Sequence, residues 1–107
     1  MGNYGDTPVL AVENLDIFNV TMTNANEQYS LEIPNGCKTI SVTIRDGVSG
    51  ASYRVAYVTG KVATPTAPYL KFKCDTEYFE DGLFLNGKNL YLACSNASQV
   101  AQVVIGS

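Results

Sequence analysis

Hydrophobic residues recur at every second position through most of the chain. In the segment KTISVTIR, Ile40, Val42 and Ile44 fall on one face and Thr39, Ser41, Thr43 and Arg45 on the other, the period of a half-buried strand. The same alternation groups Phe18, Val20 and Met22 in DIFNVTMT, and Tyr29, Leu31 and Ile33 in QYSLEI. SYRVAYV sets Tyr53, Val55 and Tyr57 against Arg54 and Ala56. YLKFKC turns Leu70, Phe72 and Cys74 inward and Tyr69, Lys71 and Lys73 outward, and NLYLAC repeats the pattern with Leu90, Leu92 and Cys94. The last run, QVAQVVI, is apolar on both faces, so it is expected to be paired or covered rather than a bare edge.

Between these runs stand Asn35-Gly36, Asp46-Gly47, Asp81-Gly82 and Asn86-Gly87, dipeptides that accept positive φ and so mark tight turns. They leave no window of more than about ten residues with an unbroken 3.6-residue period, and one or two helical turns near residues 23–28 are the most that fits. Val, Ile and Thr make up 25 of 107 residues, an enrichment that suits strands. The expected fold is all-β: a two-layer antiparallel β-sandwich, jelly-roll-like or a partly open barrel, of about eight short strands. IPNGCKTISV and LNGKNLYL echo one another as apolar run, turn and strand, which reads as two similar strand entries rather than a repeat.

The segment TGKVATPTAPYLKF interrupts the alternation. Pro65 and Pro68 fix their own φ and bias Thr64 and Ala67 away from the helical region, so an extended, polyproline-like course is expected. As a long link between two strands, it is expected to cross from one sheet to the other.

At 107 residues the chain is expected to form one domain, residues 1–107, with residues 1–8 as a flexible N-terminal arm. A net charge of −3 without a basic run argues against nucleic acid as a partner. Apolar runs of about four residues argue against a membrane span. Cys37, Cys74 and Cys94 lack C-x-x-C spacing and read as buried free thiols, with a Cys74–Cys94 disulfide as the alternative.

Candidate chemistry is sparse. With no His in the chain, triad catalysis and most zinc sites lack their usual group, and no base stands near the three thiols in sequence. The acidic stretch CDTEYFEDG, with Asp75, Glu77, Glu80 and Asp81, does not match a calcium-hand loop and reads as a solvated loop. No catalytic, metal-binding or cofactor-binding residue is nominated, and the chain is expected not to be an enzyme. Surface contact remains. Charged residues are only 16% of the chain, and seven Tyr outnumber four Phe, a tilt toward the amphipathic aromatics of interfaces. The candidate interface is Tyr53, Arg54, Tyr57, Pro65, Pro68 and Tyr69.

YRVAYVTGKVATPTAPYLKFKCDTEYFEDGLFLNGKNLYLACSNASQVAQVVI resembles small structural proteins encoded in tailed-phage and prophage virion modules. The likeness lies in R-x-A-Y-V-x-G-K-V-A-x-P-T-x-P-Y, an acidic E-x-Y-x-E-D-G-L turn, in which this chain has Thr76 in place of the first Glu, and G-K-x-L-Y-L-A before a last apolar strand. NANEQYSLEIPNGCKTISVTIRD extends it to roughly residues 20–105. The chain departs in reading Ala93-Cys94-Ser95 where the pattern has A-S-S, and in its uncharged ending VVIGS. The resemblance implies a virion component made in the host bacterial cytoplasm, of the capsid decoration or cement type. Its partners would be the major capsid protein and further copies of itself, as a trimer at a site of local threefold symmetry or as a dimer. The alternative is a carbohydrate- or ligand-binding β-sandwich module of a phage tail or fibre, against which the absence of Trp counts.

Overall fold

A computed structural model of the chain describes residues 12–107; the arm expected over residues 1–8 lies outside them. Among the described residues eight strands follow in order: β1 (Leu15–Met22), β2 (Tyr29–Glu32), β3 (Thr39–Arg45), β4 (Ser52–Ala56), β5 (Leu70–Lys73), β6 (Tyr78–Glu80), β7 (Asn89–Cys94) and β8 (Gln99–Gly106). They make two four-stranded sheets, ordered β1-β8-β3-β6 and β2-β7-β4-β5, with every pairing antiparallel. The pairing is nested: β1 with β8, β2 with β7, β3 with β6, and β4 with β5. A long antiparallel ribbon rolled so that successive pairs fall into opposite sheets gives this order, which is a jelly roll. The two-layer sandwich expected from the alternation is therefore the fold.

The inward faces of both sheets supply the core. Met22, Ile40, Val42, Tyr53, Val55, Leu90, Leu92, Ala101, Val103 and Ile105 are wholly buried there. Strand β8, apolar on both faces, lies between β1 and β3 and so is not a bare edge, as expected. All three cysteines are buried and free. Cys74 and Cys94 bring their Sγ atoms to 3.7 Å from either side of β4, where Cys74 N donates to Ala51 O and Cys94 pairs with Tyr53. Burial, followed by the contact with Cys94, pushes the Cys74 thiol up to about 12, which suppresses the reactive thiolate.

Three expectations are corrected. Residues 23–28 form a turn, with Asn26 at φ 56°, and no helix occurs among the described residues. The acidic stretch is not all loop: Tyr78–Glu80 is strand β6, because Tyr78 has a place in the core and pairs with Val42. The proline segment does not cross between sheets. It joins β4 to β5, which are neighbours in one sheet, paired from Ser52↔Lys73 to Val55↔Leu70. Nor is it extended. It bends through turns at residues 59–60 and 62–65, with Gly60 at φ 83° and a bond of 3.0 Å from Thr66 N to Lys61 O.

The two echoing turns prove to be spatial neighbours. Gly36 N donates to Asn86 Oδ1 at 2.7 Å, and Gly87 N donates to Asn35 Oδ1 at 2.9 Å. Beside them Cys37 and Leu85 exchange backbone bonds. The resemblance between the two segments thus marks equivalent corners of the rolled ribbon, each Asn capping the other's glycine.

Candidate interaction surface

The residues nominated from sequence all lie on or beside the β4–β5 hairpin, and the structure divides them into buried supports and surface. Alternation along β4 turns Tyr53 and Val55 to the core and Arg54 and Ala56 to the opposite face. That opposite face is also covered, because the long loop folds back across it. Val62 of the loop is wholly buried against Ala56 and Ala93, with Tyr69 and Tyr91 packed at the margin. Alanines at two adjoining outward positions leave the room that brings the loop close to the sheet.

Arg54 holds the loop from beneath. It is 6% exposed; its Nε donates to Val62 O at 2.6 Å, and its Nη2 donates to Asn26 Oδ1 at 2.7 Å. A carbonyl and an amide oxygen thus receive a guanidinium that would be costly to bury unpaired. Gln28 clamps the loop from above: its Nε2 donates to Thr59 Oγ1 at 3.0 Å, and its Oε1 accepts from Gly60 N at 2.7 Å. Asn26, Gln28 and Val62 were not nominated from sequence. Nothing in a local pattern links residues 26–28 to a loop more than thirty positions away.

Tyr53 is likewise interior. It is wholly buried, its hydroxyl donating to Thr76 O at 3.0 Å with Val42 O at 3.3 Å, and its ring stacks on Phe72 at 5.5 Å. Phe72 continues to Tyr78 at 5.2 Å, and the Tyr78 and Tyr57 hydroxyls share a hydrogen bond of 2.9 Å. These rings close the sandwich between β5 and β6. Burial pushes the Tyr53 phenol up to about 12 and raises those of Tyr57 and Tyr78. Tyr53 and Arg54 therefore cannot offer side chains to a partner, because the domain itself consumes both.

The other nominated residues reach the surface. Pro65 and Pro68 are exposed, and Tyr57 and Tyr69 are half-buried. Tyr57, Pro68 and Tyr69 line a depression of about 260 Å³ with Val55, Ala56, Val58 and Leu70. A second depression, of about 330 Å³, lies on the far side of Tyr57 and Val58 and is lined also by Glu80, Leu83, Leu85 and Lys88. Tyr57 and Val58 thus form a ridge between two largely apolar hollows. Pro65 lines neither hollow. Val58 is 53% exposed and Leu70 46%, so apolar groups stand open to solvent at this end of the sandwich.

Among the described residues, no three His, Cys, Asp or Glu side chains converge into a metal-holding group, and no helix is long and apolar enough to cross a membrane. No protein-family model matches the chain, and neither does any curated protein. Among solved structures the chain is similar to a de novo designed double-stranded β-helix determined by solution NMR, with a TM-score of 0.48 and 9% identity, over 89% of this chain and 100% of that one.

Proposed function

We propose that this chain is a non-enzymatic structural protein of a phage virion, a decoration or cement protein that binds the assembled shell through the Tyr57–Val58 ridge and its flanking hollows. The observation that carries the reading is the apolar end itself: Val58 and Leu70 exposed on a braced β4–β5 hairpin, with Tyr57, Pro68 and Tyr69 beside them. The Arg54 and Gln28 hydrogen bonds fix the loop before any partner arrives, which lowers the ordering cost of binding. Apart from its tyrosines the first hollow is lined by Val, Ala, Pro and Leu, a lining that suits an apolar protein side chain better than the hydroxyls of a sugar. The partner is then the major capsid protein, and the virion is the place of action. Repetition of a modest footprint around a symmetric shell would multiply its affinity.

Purified protein mixed with shells that lack it provides the test. Val58→Glu and Leu70→Ser alter exposed positions, so both variants should keep the melting behaviour of the parent. Each should lose shell binding by at least about tenfold. Undiminished decoration by both variants would remove this footprint.

A further inference from the structure

At the opposite margin of the molecule, the β1-β8-β3-β6 sheet ends in an edge that nothing among the described residues guards. Asn14 and Ser107 exchange both backbone bonds, each 2.9 Å, and in an antiparallel ladder such pairs alternate with pairs that exchange none. Given the register from Leu15↔Gly106 to Met22↔Gln99, residues 16, 18, 20 and 22 direct their N–H and C=O groups to β8. Those of Leu15, Ile17, Asn19 and Thr21 point to the free side, where no strand pairs with β1 among the described residues.

Edge strands are commonly protected by brevity, lysine, proline or a bulge. Edge strand β5 is protected in this way, with four residues that include Lys71 and Lys73. Strand β1 has eight residues in unbroken register, no Pro, Lys or Arg, and a single charge at Asp16. Its outward side chains are apolar at one end: Leu15 is 68% exposed and Ile17 71%. Ile17 opens a row that continues across the sheet through Val104 and Ser41 to the exposed Phe79.

We propose that β1 is a self-association edge, on which β1 of a second copy pairs antiparallel about a twofold axis at Phe18 and joins two four-stranded sheets into one of eight. The register follows from chemistry. Only Leu15, Ile17, Asn19 and Thr21 have backbone groups to give, so these must meet one another. An axis at Asp16 would set two carboxylates opposite each other, a destabilising pair. An axis at Ile17 would set Thr21 opposite Glu13, whose N–H already serves Ser107 O, whereas an axis at Phe18 sets Leu15 opposite Thr21, Ile17 opposite Asn19 and Asp16 opposite Val20, so that all four meet. About eight backbone hydrogen bonds form over residues 15–21.

A second copy fits better than a foreign strand because β1 is complementary to itself in this register without a clash of charge. The twofold consumes both free edges, so assembly stops at two chains rather than growing into a filament. Of the trimer and the dimer left open by the sequence, this edge supports the dimer. The inference is independent of the shell-binding reading, which concerns the other margin of the molecule.

Light scattering and sedimentation of the full chain over a range of concentrations test it, with a reversible dimer expected. Ile17→Pro removes an N–H that β8 does not use, so that variant should melt near the parent temperature and run as a monomer, its dimer dissociation constant raised at least about tenfold. Ile17→Lys, which leaves φ free, should do the same. With Ile17→Cys and Asn19→Cys in one chain, the facing thiols of the two copies should close into two intermolecular disulfides, each formed as two cysteine thiols give up two protons and two electrons and one oxidised glutathione is reduced to two thiols. A parent chain that stays monomeric at every concentration would overturn the proposal. So would a dimer that Ile17→Pro and Ile17→Lys leave intact.

Discussion

The outer faces of the two sheets have opposite fates in one small domain. On the β2-β7-β4-β5 sheet, β4 and β7 present Arg54, Ala56, Tyr91 and Ala93, and the β4–β5 loop roofs them, with Val62 wholly buried. On the β1-β8-β3-β6 sheet, the corresponding surface carries Ile17, Val104, Ser41 and Phe79 in a row, with Ile17 and Phe79 more than half exposed. The difference does not follow from hydrophobicity, since the bare face has the larger apolar side chains. It follows from the loops. Thirteen residues, 57–69, join two strands that need only a tight turn, and the excess has to lie somewhere. Small side chains and a buried guanidinium provide a place on one sheet. The other sheet has no comparable loop among the described residues, and Ile17 and Phe79 stand open at the two ends of its row.

The contrast is most sharply broken at Arg54. Arg54→Ala deletes two hydrogen bonds to a charged donor and leaves Val62 O and Asn26 Oδ1 without it. A loss of about 4 kcal/mol is expected in chemical denaturation, together with faster amide exchange through residues 57–69. A loss below about 1 kcal/mol would mean that the loop is not held by this residue and that the two outer faces differ less than the geometry implies.

A smaller effect, confined to the space between the sheets, comes from pH. Tyr53 is wholly buried, and burial raises its phenol from 10 to about 12, so the unfolded chain releases that proton first. Its contribution is fully present below pH 10 and is lost as pH rises through 12, on the order of 3 kcal/mol. Tyr57 and Tyr78 are shifted in the same direction and deepen the alkaline loss. Denaturation curves taken from pH 8 to 12 should show stability falling only above about pH 10. Tyr53→Phe should flatten that fall. A flat profile for the parent would show that the phenols are not sealed between the sheets.

The smallest effect belongs to the bare face. Phe79 is 53% exposed, and Phe79→Thr should change stability by no more than about 0.5 kcal/mol in a dilute, monomeric sample. A loss of several kcal/mol would mean that the row is packed after all and that the comparison fails.

Much of this protein was legible in its residue pattern, for a physical reason. A period of two allots each side chain to a face before any partner strand is chosen. Ile40, Val42 and Ile44, and Leu90, Leu92 and Cys94, accordingly lie in the core where alternation places them. The doubly apolar run at residues 99–105 was expected to be paired or covered, and it is paired on both sides. The Asn-Gly dipeptides marked the corners, since Gly36 and Gly87 adopt the positive φ for which glycine is suited.

Alternation is silent on what covers the second face of a strand. It therefore put Arg54 outward without revealing that the outward side has a roof, and the prolines suggested an extended crossing where the segment bends back over its own sheet. Prolines constrain only their own φ and the preceding residue, whereas the course of this loop depends on Gln28 and Asn26, brought close by the rolling of the ribbon. The strand within the acidic stretch was obscured in the same way: three residues carry too short a period to read, and Tyr78 is strand because Val42 and Phe72 give it a place to pack. What the sequence determined by itself was the set of local choices made by backbone and side-chain period. Which strands became neighbours and which loop became a roof were decided only by tertiary structure, because each depends on residues far apart in the chain competing for the same surface.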